Sequence, residues 1–253
     1  MKYFFVPVFI LFNLFSLTGQ TRTIHVLVAL CDNKYQGIVP VPAGIGNGQD
    51  PANNLYWGCG NGVKTFFKKQ SDWIFIKQIN KPAENIYERL IFKNKNSKTY
   101  LVADAYNGQF IKQTTTDLLD YSAGLKKSVL TIDSLKLNIG GAANLLCYIG
   151  HDGLMDFQLE TTPKKSDNAQ REVIILACYS KSFFKDAIQK SGASPLLWST
   201  HLMCPEAYTL HAALAGWVLN ETPEKVKERA AQAYNQYLKC GIKGARNLLV
   251  TGY

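Results

Sequence analysis

Short apolar runs alternate along this chain with longer segments whose apolar residues recur at helical spacing. Runs of roughly four to eight apolar residues, bounded by polar and glycine positions, are typical of strands that are buried on both faces of a parallel sheet. Strands that alternate with helices in this way form α/β domains. The pattern therefore predicts one three-layer α/β/α sandwich with a mainly parallel sheet over residues 21–253.

The boundaries of the predicted elements follow from these runs and from the turn residues between them. The predicted strands cover residues 23–30, 73–79, 99–103, 144–150, 173–178 and 195–200. The predicted helices cover residues 54–69, 85–92, 115–125, 182–190, 205–219 and 223–240, the last one capped by Thr222 and ended by Gly241. A long loop rich in glycine, proline and asparagine, residues 36–54, is predicted to be functional, either as a lid or as a groove wall.

The N-terminus contains one basic residue, Lys2, then a short apolar core, then small and polar residues. This order is typical of a secretory signal peptide. A transmembrane anchor is the alternative, but the apolar core is shorter than the roughly 20 residues that a span needs. We therefore expect a signal peptide over residues 1–20, a secreted or periplasmic protein, and no integral membrane segment once the signal is removed.

Charge and glycine patterning argue against two classes of ligand. The formal net charge is +9, but the basic residues are scattered and do not interleave with aromatic residues as they do in a nucleic-acid groove. We interpret them as solvated faces, with affinity for anionic surfaces as the alternative, and we predict no nucleic-acid partner. The glycine-rich run at 44–48 fits neither a dinucleotide fingerprint nor a P-loop, so no cofactor is predicted.

Six cysteines are present, and export would permit disulfides. Cys31 and Cys59 fall in neighbouring predicted loops, and a disulfide between them is one possibility. Cys147 lies within a predicted strand and is expected to be a core residue. Cys178 differs from the others because it stands at the end of a predicted strand.

Two other kinds of site have weaker support in the sequence. His201, Cys204 and His211 are residue types that bind zinc, but carboxylate or cysteine support at a suitable spacing is thin. The Gly-x-Ser-x-Gly motif of serine hydrolases is absent. We therefore predict neither a metal site nor a serine nucleophile.

Two of the apolar runs end in reactive residues. The run at 144–150 is followed by His151, and the run at 173–177 is followed by Cys178. Because chemistry in open α/β sheets gathers beyond the carboxyl ends of the strands, neighbouring strands would bring the imidazole and the thiol together. The imidazole can then take the thiol proton during attack and give it to a leaving amine.

Residues beside this predicted dyad offer supporting groups. The backbone N–H groups of Cys178 and of Asp152 or Gly153 are predicted to stabilise an oxyanion. Asp156 and Glu160 follow the loop of His151 and are candidates to orient its imidazole, although the interpretation as solvent-facing carboxylates is favoured. On spacing alone, a structural cysteine with a loop histidine is the alternative to the whole site.

The sequence around these residues resembles the caspase-like clan of cysteine peptidases, which includes caspases, legumains, gingipains and clostripain. An apolar block that ends in His near a Gly precedes a block that ends in Ala177-Cys178-Tyr-Ser180, similar to the pattern Ala-Cys-x-Ser-Gly before a helix. The detailed resemblance covers residues 144–184. It implies an α/β/α fold, a His–Cys dyad at the ends of adjacent parallel strands, and peptides or proteins as substrates.

The resemblance also points to residues of a substrate pocket. In such folds the pocket for the residue before the scissile bond draws on the end of the first strand, which here is Asp32 and Asn33. Asp32 would select a basic side chain through a charge-assisted pair, and the alternative is that both residues only shape a turn. Trp198 and Ser199, at a later strand end, are predicted as another groove wall.

The leading hypothesis is an exported cysteine peptidase-like hydrolase, with Cys178 as the nucleophile and His151 as the general base and acid. The second is a catalytically inactive caspase-like domain that serves as a binding or scaffold module. This alternative is based on the turn after His151, where Asp152 stands before Gly153. Lys181, where the clan commonly has glycine, is a further departure from the clan pattern. The third is a thiol amidase that acts on non-protein amides.

Overall fold

The computed structural model describes residues 20–253, so the predicted signal peptide, except for Gln20, lies outside the described residues. The strands are β1 (Arg22–Ala29), β2 (Trp73–Ala83), β3 (Ile86–Asn94), β4 (Thr99–Tyr106), β5 (Lys127–Ile132), β6 (Leu135–Gly140), β7 (Leu145–Ile149), β8 (Glu172–Leu176), β9 (Ser194–Ser199) and β10 (Leu249–Val250). The helices are α1 (Val63–Lys68), α2 (Ile111–Ser122), α3 (Ser180–Ser191), α4 (Ala207–Val218), α5 (Pro223–Leu238) and α6 (Ile242–Leu248). Within this part of the chain, no helix combines the length and the apolarity that crossing a membrane requires.

Eight of the strands form one mixed sheet with a parallel centre. Its order is β10-β9-β8-β7-β1-β4-β3-β2, and β5 and β6 form a separate hairpin. The five central strands, from β9 to β4, pair in parallel. β10 at one edge and β3 and β2 at the other pair antiparallel. The predicted α/β class and mostly parallel sheet are confirmed, with antiparallel edges that the sequence pattern did not indicate.

Helices cover both faces of this sheet. Along β1, Ile24, Val26 and Val28 face one apolar core, while Leu27 and Ala29 face the other. The first core also contains side chains from α1, α4, α5 and α6, and the second contains side chains from α2 and α3. Because both faces are buried, the central strands read in the sequence as continuous apolar runs.

The segment 85–92, predicted as a helix, is instead part of the strand β3. It pairs antiparallel with β2 on one side and with β4 on the other. Its consecutive residues Leu90 and Ile91 are both fully buried, in two different apolar clusters. Burial on both faces removes the alternation that marks a strand, and a short run without alternation is ambiguous between strand and helix.

Three further parts of the chain also differ from the prediction. Residues 54–62 form turns ahead of the short helix α1, since three glycines in this stretch disfavour a helix. Residues 127–140 form the β5–β6 hairpin, which was not predicted. Helix α5 ends at Leu238 and is followed by Lys239 in a left-handed conformation, whereas Gly241 instead precedes α6.

A buried ionic cluster ties β1, β3 and β4 to the β5–β6 hairpin. The fully buried Asp104 carboxylate accepts hydrogen bonds from His25 Nε2 at 3.0 Å and from Arg89 Nε and Nη2 at 2.6 Å. His25 Nδ1 accepts the N–H of Gly140 at 3.0 Å, which places the imidazole proton on Nε2. Burial raises the pKa of Asp104, but the bonds from Arg89 and His25 outweigh it and hold that pKa below its ordinary value.

We expect Asp104→Ala to lower the free energy of unfolding by about 3–5 kcal/mol, because it leaves the partly buried Arg89 guanidinium without its partner. Lys112→Ala is the control, since it removes an ion pair with Glu160 in which the side chains are 56% and 85% exposed. This control should cost less than about 1 kcal/mol. Urea denaturation measures both variants, and equal losses would contradict a structural role for the buried cluster.

Candidate active site

The parallel pairing of β7 with β8 brings His151 and Cys178 to one edge of the sheet. Ile149 and Leu176, the last residues of the two strands, are partners in the parallel register. His151 and Cys178 each follow at the second position after the strand end. Both residues line one cavity of about 420 Å³. The structure therefore brings together the two residues that the sequence singled out.

The backbone after β7 fixes the position of His151. Gly150 has a φ of 150°, and a Cβ at this position would lie 2.8 Å from the carbonyl oxygen of Ala29, so only glycine fits without strain. The N–H of Gly150 donates to the carbonyl of Leu176 at 3.3 Å. The Tyr148 hydroxyl donates to the carbonyl of His151 at 2.7 Å. The imidazole therefore lies on a turn that is hydrogen-bonded to the end of β8 and to Tyr148 of β7.

Asp156 is the residue that orients the imidazole. Its Oδ2 lies 2.8 Å from His151 Nε2 and also accepts the N–H of Gly37 at 2.9 Å. A Cβ at position 37 would overlap this carboxylate, so glycine permits the close approach. A carboxylate at Nε2 favours the tautomer that carries its proton there, which leaves Nδ1 as the basic nitrogen. Glu160, the other sequence candidate, instead pairs with Lys112.

Two buried serines hold the turn that presents Cys178. The N–H of Ser180 donates to Ser199 Oγ at 3.1 Å, and the N–H of Ser199 donates to Ser180 Oγ at 2.9 Å. The Ser199 hydroxyl also donates to the carbonyl of Ala177. Tyr179 within this turn has a φ of 51°, which is an uncommon conformation for a bulky residue. Uncommon backbone conformations of this kind cluster at functional sites. Ser199, predicted as a groove wall, therefore supports the cysteine turn.

The Cys178 thiol lies in a partly buried environment that keeps it protonated. The N–H of Met203 donates to Sγ at 3.4 Å, and Sγ lies 3.6 Å from the carbonyl oxygen of the same residue. Burial raises the pKa of Cys178 and the nearby Asp152 carboxyl raises it further, while the Met203 N–H opposes both. Among residues 20–253, no backbone carbonyl accepts the N–H of Cys178, so this donor is available to an oxyanion.

Asp152 and Gly153, the other predicted oxyanion donors, do not line the cavity. Gly153 begins a 3-10 turn and packs against Thr115 and Phe157. Asp152 is fully buried, and its Oδ1 accepts the N–H of Leu154 at 2.9 Å, while its Oδ2 has no hydrogen-bond partner in the described part of the chain. Burial raises the pKa of Asp152 to about 7. Of the three predicted donors, only Cys178 is on the cavity wall.

Asp32 and Asn33 shape the loop after β1 and do not line the cavity. The buried Asp32 carboxylate accepts the N–H groups of Lys34 at 2.8 Å and Tyr35 at 3.1 Å. Asn33 exchanges two hydrogen bonds with the backbone of Val41, at 2.7 and 3.0 Å, and Val41 lines the cavity. The structure thus agrees with the turn-shaping interpretation, and Asp32 is not placed to select a basic side chain.

Apolar side chains form most of the cavity wall, and sequence reasoning missed them. They come from residues 36–55, the turn after His151 and the segment after β9, namely Ile38, Val39, Val41, Leu55, Met155, Leu202, Met203 and Pro205. The place of these segments in the sequence could have revealed them, because each segment follows a strand and so lies at the carboxyl edge of the sheet. The glycine-rich loop is therefore a groove wall. Trp198, predicted for that role, is buried in the α2–α3 core and donates to the carbonyl of Gly252.

The remaining cysteine and histidine candidates do not form a second site. All six cysteines are free thiols, so Cys31 and Cys59 are not joined. Burial raises the pKa of Cys31 to about 11. His211 pairs with Asp72 at 3.0 Å. Among the residues from 20 onward, no three His, Cys, Asp or Glu side chains form a group that would hold a metal ion.

The site combines a thiol, an imidazole with an orienting carboxylate, an available backbone N–H and an apolar cavity. Comparison of this chain with protein-family models, with curated proteins and with solved structures gives no match. A functional assignment therefore rests on the geometry and chemistry of these residues.

The free energy of unfolding of the wild-type protein should fall as the pH rises from about 4 to about 7. We expect Asp152→Asn to make this fall smaller. The unfolded carboxyl loses its proton near its ordinary pKa, whereas the folded one keeps it up to a pKa of about 7, so folding stability falls as the pH rises through this window. The substitution removes this effect, which is worth up to about 4 kcal/mol. Urea denaturation at several pH values measures it. The exposed Asp186→Asn serves as the control, and a parallel pH dependence in both variants would contradict the prediction.

Proposed function

We propose that this protein is a cysteine peptidase-like hydrolase in which Cys178 attacks a peptide carbonyl and His151 transfers the protons. The observation that carries the proposal is that the ends of two adjacent parallel strands place both side chains on the wall of one cavity. Asp156, bonded to His151 Nε2, supplies the third member of the arrangement. The export that the N-terminal sequence predicts would place this hydrolase outside the cytoplasm.

Two features of the fold support membership of the caspase-like clan. The resemblance implies a His–Cys dyad at the ends of adjacent parallel strands, and β7 and β8 are such a pair. It also implies helices on both faces of the sheet, which is the arrangement of α2 and α3 on one face and of α1, α4 and α5 on the other. The turn after His151 departs from the clan pattern, since the buried Asp152 takes the position before Gly153.

The chemical step follows from the protonation of the two residues. Because burial keeps the thiol neutral, its proton moves to His151 Nδ1 as Sγ bonds to the carbonyl carbon. The carbonyl oxygen becomes an oxyanion that accepts the N–H of Cys178. Collapse of this intermediate breaks the C–N bond, and the amine leaves with the proton from the imidazolium. Water then attacks the thioester, its proton passes to Nδ1, and the released thiolate recovers a proton from the imidazolium.

Asp156 stabilises the imidazolium that forms in both halves of this cycle. Its carboxylate accepts a hydrogen bond from the Nε2–H group, and this bond fixes the ring so that Nδ1 is the nitrogen that exchanges protons. The same carboxylate holds Gly37, so the orientation of the base and the position of the groove wall depend on one side chain. A substitution at Asp156 is therefore expected to change both the turnover number and the Michaelis constant.

We expect the protein to hydrolyse peptides from an unbiased peptide library, with products identified by mass spectrometry. Cys178→Ala should abolish hydrolysis because it removes the nucleophile. His151→Ala should lower kcat/KM by about 10²–10⁴-fold, the usual contribution of general acid–base catalysis. Asp156→Asn should lie between wild type and His151→Ala, since it keeps the imidazole but weakens its orientation.

Cys240→Ala is the matched control, because Cys240 is an exposed free thiol that does not line the cavity. This variant should retain full activity. Hydrolysis that persists in Cys178→Ala would overturn the assignment of the nucleophile. A folded wild-type protein that cleaves no peptide in the library would favour the inactive binding module or the amidase acting on non-protein amides.

A further inference from the structure

Three strongly exposed apolar side chains surround the opening of the cavity that contains Cys178. Val39 is 87% exposed, Leu202 is 67% exposed and Met155 is 41% exposed, and all three line this one cavity. Single exposed apolar residues are ordinary on protein surfaces, whereas a cluster of them marks a binding site. A bound substrate that covers them would remove this apolar surface from water.

The interior of the cavity continues the same apolar character. Val41 and Leu55 are half-buried, and Met203 and Pro205 are buried, on its wall. The volume of about 420 Å³ is within the range of small-ligand sites and accommodates one large side chain with the adjoining peptide unit.

We propose that the substrate carries a large apolar side chain, such as leucine or phenylalanine, at the residue whose carbonyl Cys178 attacks. This inference rests on the proposed function and names its substrate class. A basic or acidic side chain would lose its hydration on entering an apolar cavity, at a cost that needs a buried charged partner. Asp32, the sequence candidate for such a partner, is buried elsewhere and bonded to the backbone of its own loop.

Among the described residues 20–253, Glu206 is the one carboxylate that lines the cavity, and it defines the competing result. It is half-buried and immediately precedes α4. If Glu206 paired with the substrate, an arginyl side chain would be preferred to a leucyl side chain. The apolar residues form the larger share of the wall, so we assign the selection to them.

The labelling experiment uses N-acetyl-aminoacyl acyloxymethyl ketones with leucyl, phenylalanyl, arginyl and aspartyl side chains. In this reaction Sγ displaces the carboxylate leaving group and forms a thioether, and peptide mapping by mass spectrometry locates the adduct on Cys178. The leucyl and phenylalanyl probes should label Cys178 at least about tenfold faster than the arginyl and aspartyl probes. Faster arginyl or aspartyl labelling overturns the apolar selection and leaves the proposed hydrolase intact.

A matched pair of leucine substitutions tests the cavity wall. Leu202→Asp should slow labelling by the leucyl probe by about tenfold, because it puts a charge at the apolar opening. Leu219→Asp changes a leucine of similar exposure, 64%, that does not line the cavity, and should label at the wild-type rate. Equal labelling of both variants overturns the inference. The rate of Cys178 alkylation by iodoacetamide should be the same in both and reports that the site is folded.

A binding measurement separates the substrate class from the chemistry. Calorimetric titration of Cys178→Ala compares N-acetyl-leucine and N-acetyl-arginine peptide amides of equal length. Tighter binding of the leucyl peptide, weakened in the double variant with Leu202→Asp, supports the apolar cavity even if no probe labels the wild-type thiol. Leucyl-selective binding without any labelling overturns the proposed hydrolase and leaves the apolar cavity supported. Tighter binding of the arginyl peptide, or no preference, overturns the inference alone.

Discussion

The parallel pairing of β7 with β8 is the constraint on which the candidate site depends. Both strands lie in the parallel centre of the sheet, and every residue of β7 is buried. A shift of register would exchange side chains of different shape between two close-packed cores, which close packing resists. The aligned ends of the two strands then put His151 and Cys178 on the same cavity.

Polar side chains in the turns after the strands make hydrogen bonds that hold the site residues in position. Asp156 joins the imidazole to the groove loop at Gly37, and Ser180 with Ser199 ties the cysteine turn to the end of β9. The groups of Ser180, Ser199 and His151 are buried, so an unmade bond there is costly, whereas the bond from Gly37 to Asp156 is exposed. The site is thereby rigid where it holds the reacting groups, and its opening is apolar. The raised pKa of Cys178 favours a neutral thiol, and the proposed mechanism accordingly uses proton transfer during attack rather than a permanent ion pair.

Agreement between sequence and structure is best where one local signal was sufficient. The apolar runs at β1, β7, β8 and β9 were found because strands buried on both faces need continuous apolar sequence. Helix α3 ends before Gly192 as predicted. Strand β3 was mistaken for a helix, and the β5–β6 hairpin was missed. Burial of β3 on both faces hides its alternation, and the hairpin depends on packing Ile132, Leu137 and Ile139 against the distant Ile91 and Val102 of β3 and β4.

By itself the sequence determined the α/β class, the strand ends that contain His151 and Cys178, and the choice of Asp156 as one of two candidates to orient the imidazole. Composition and short-range order are sufficient for these, because strand burial and strand-end chemistry are local properties. Only the tertiary structure decided that Asp32 is bonded within its own loop, that Ser199 supports the cysteine turn, and that a loop and a segment far apart in sequence form one apolar wall. Such roles depend on which side chains meet when the chain closes, and spacing along the chain does not contain that information.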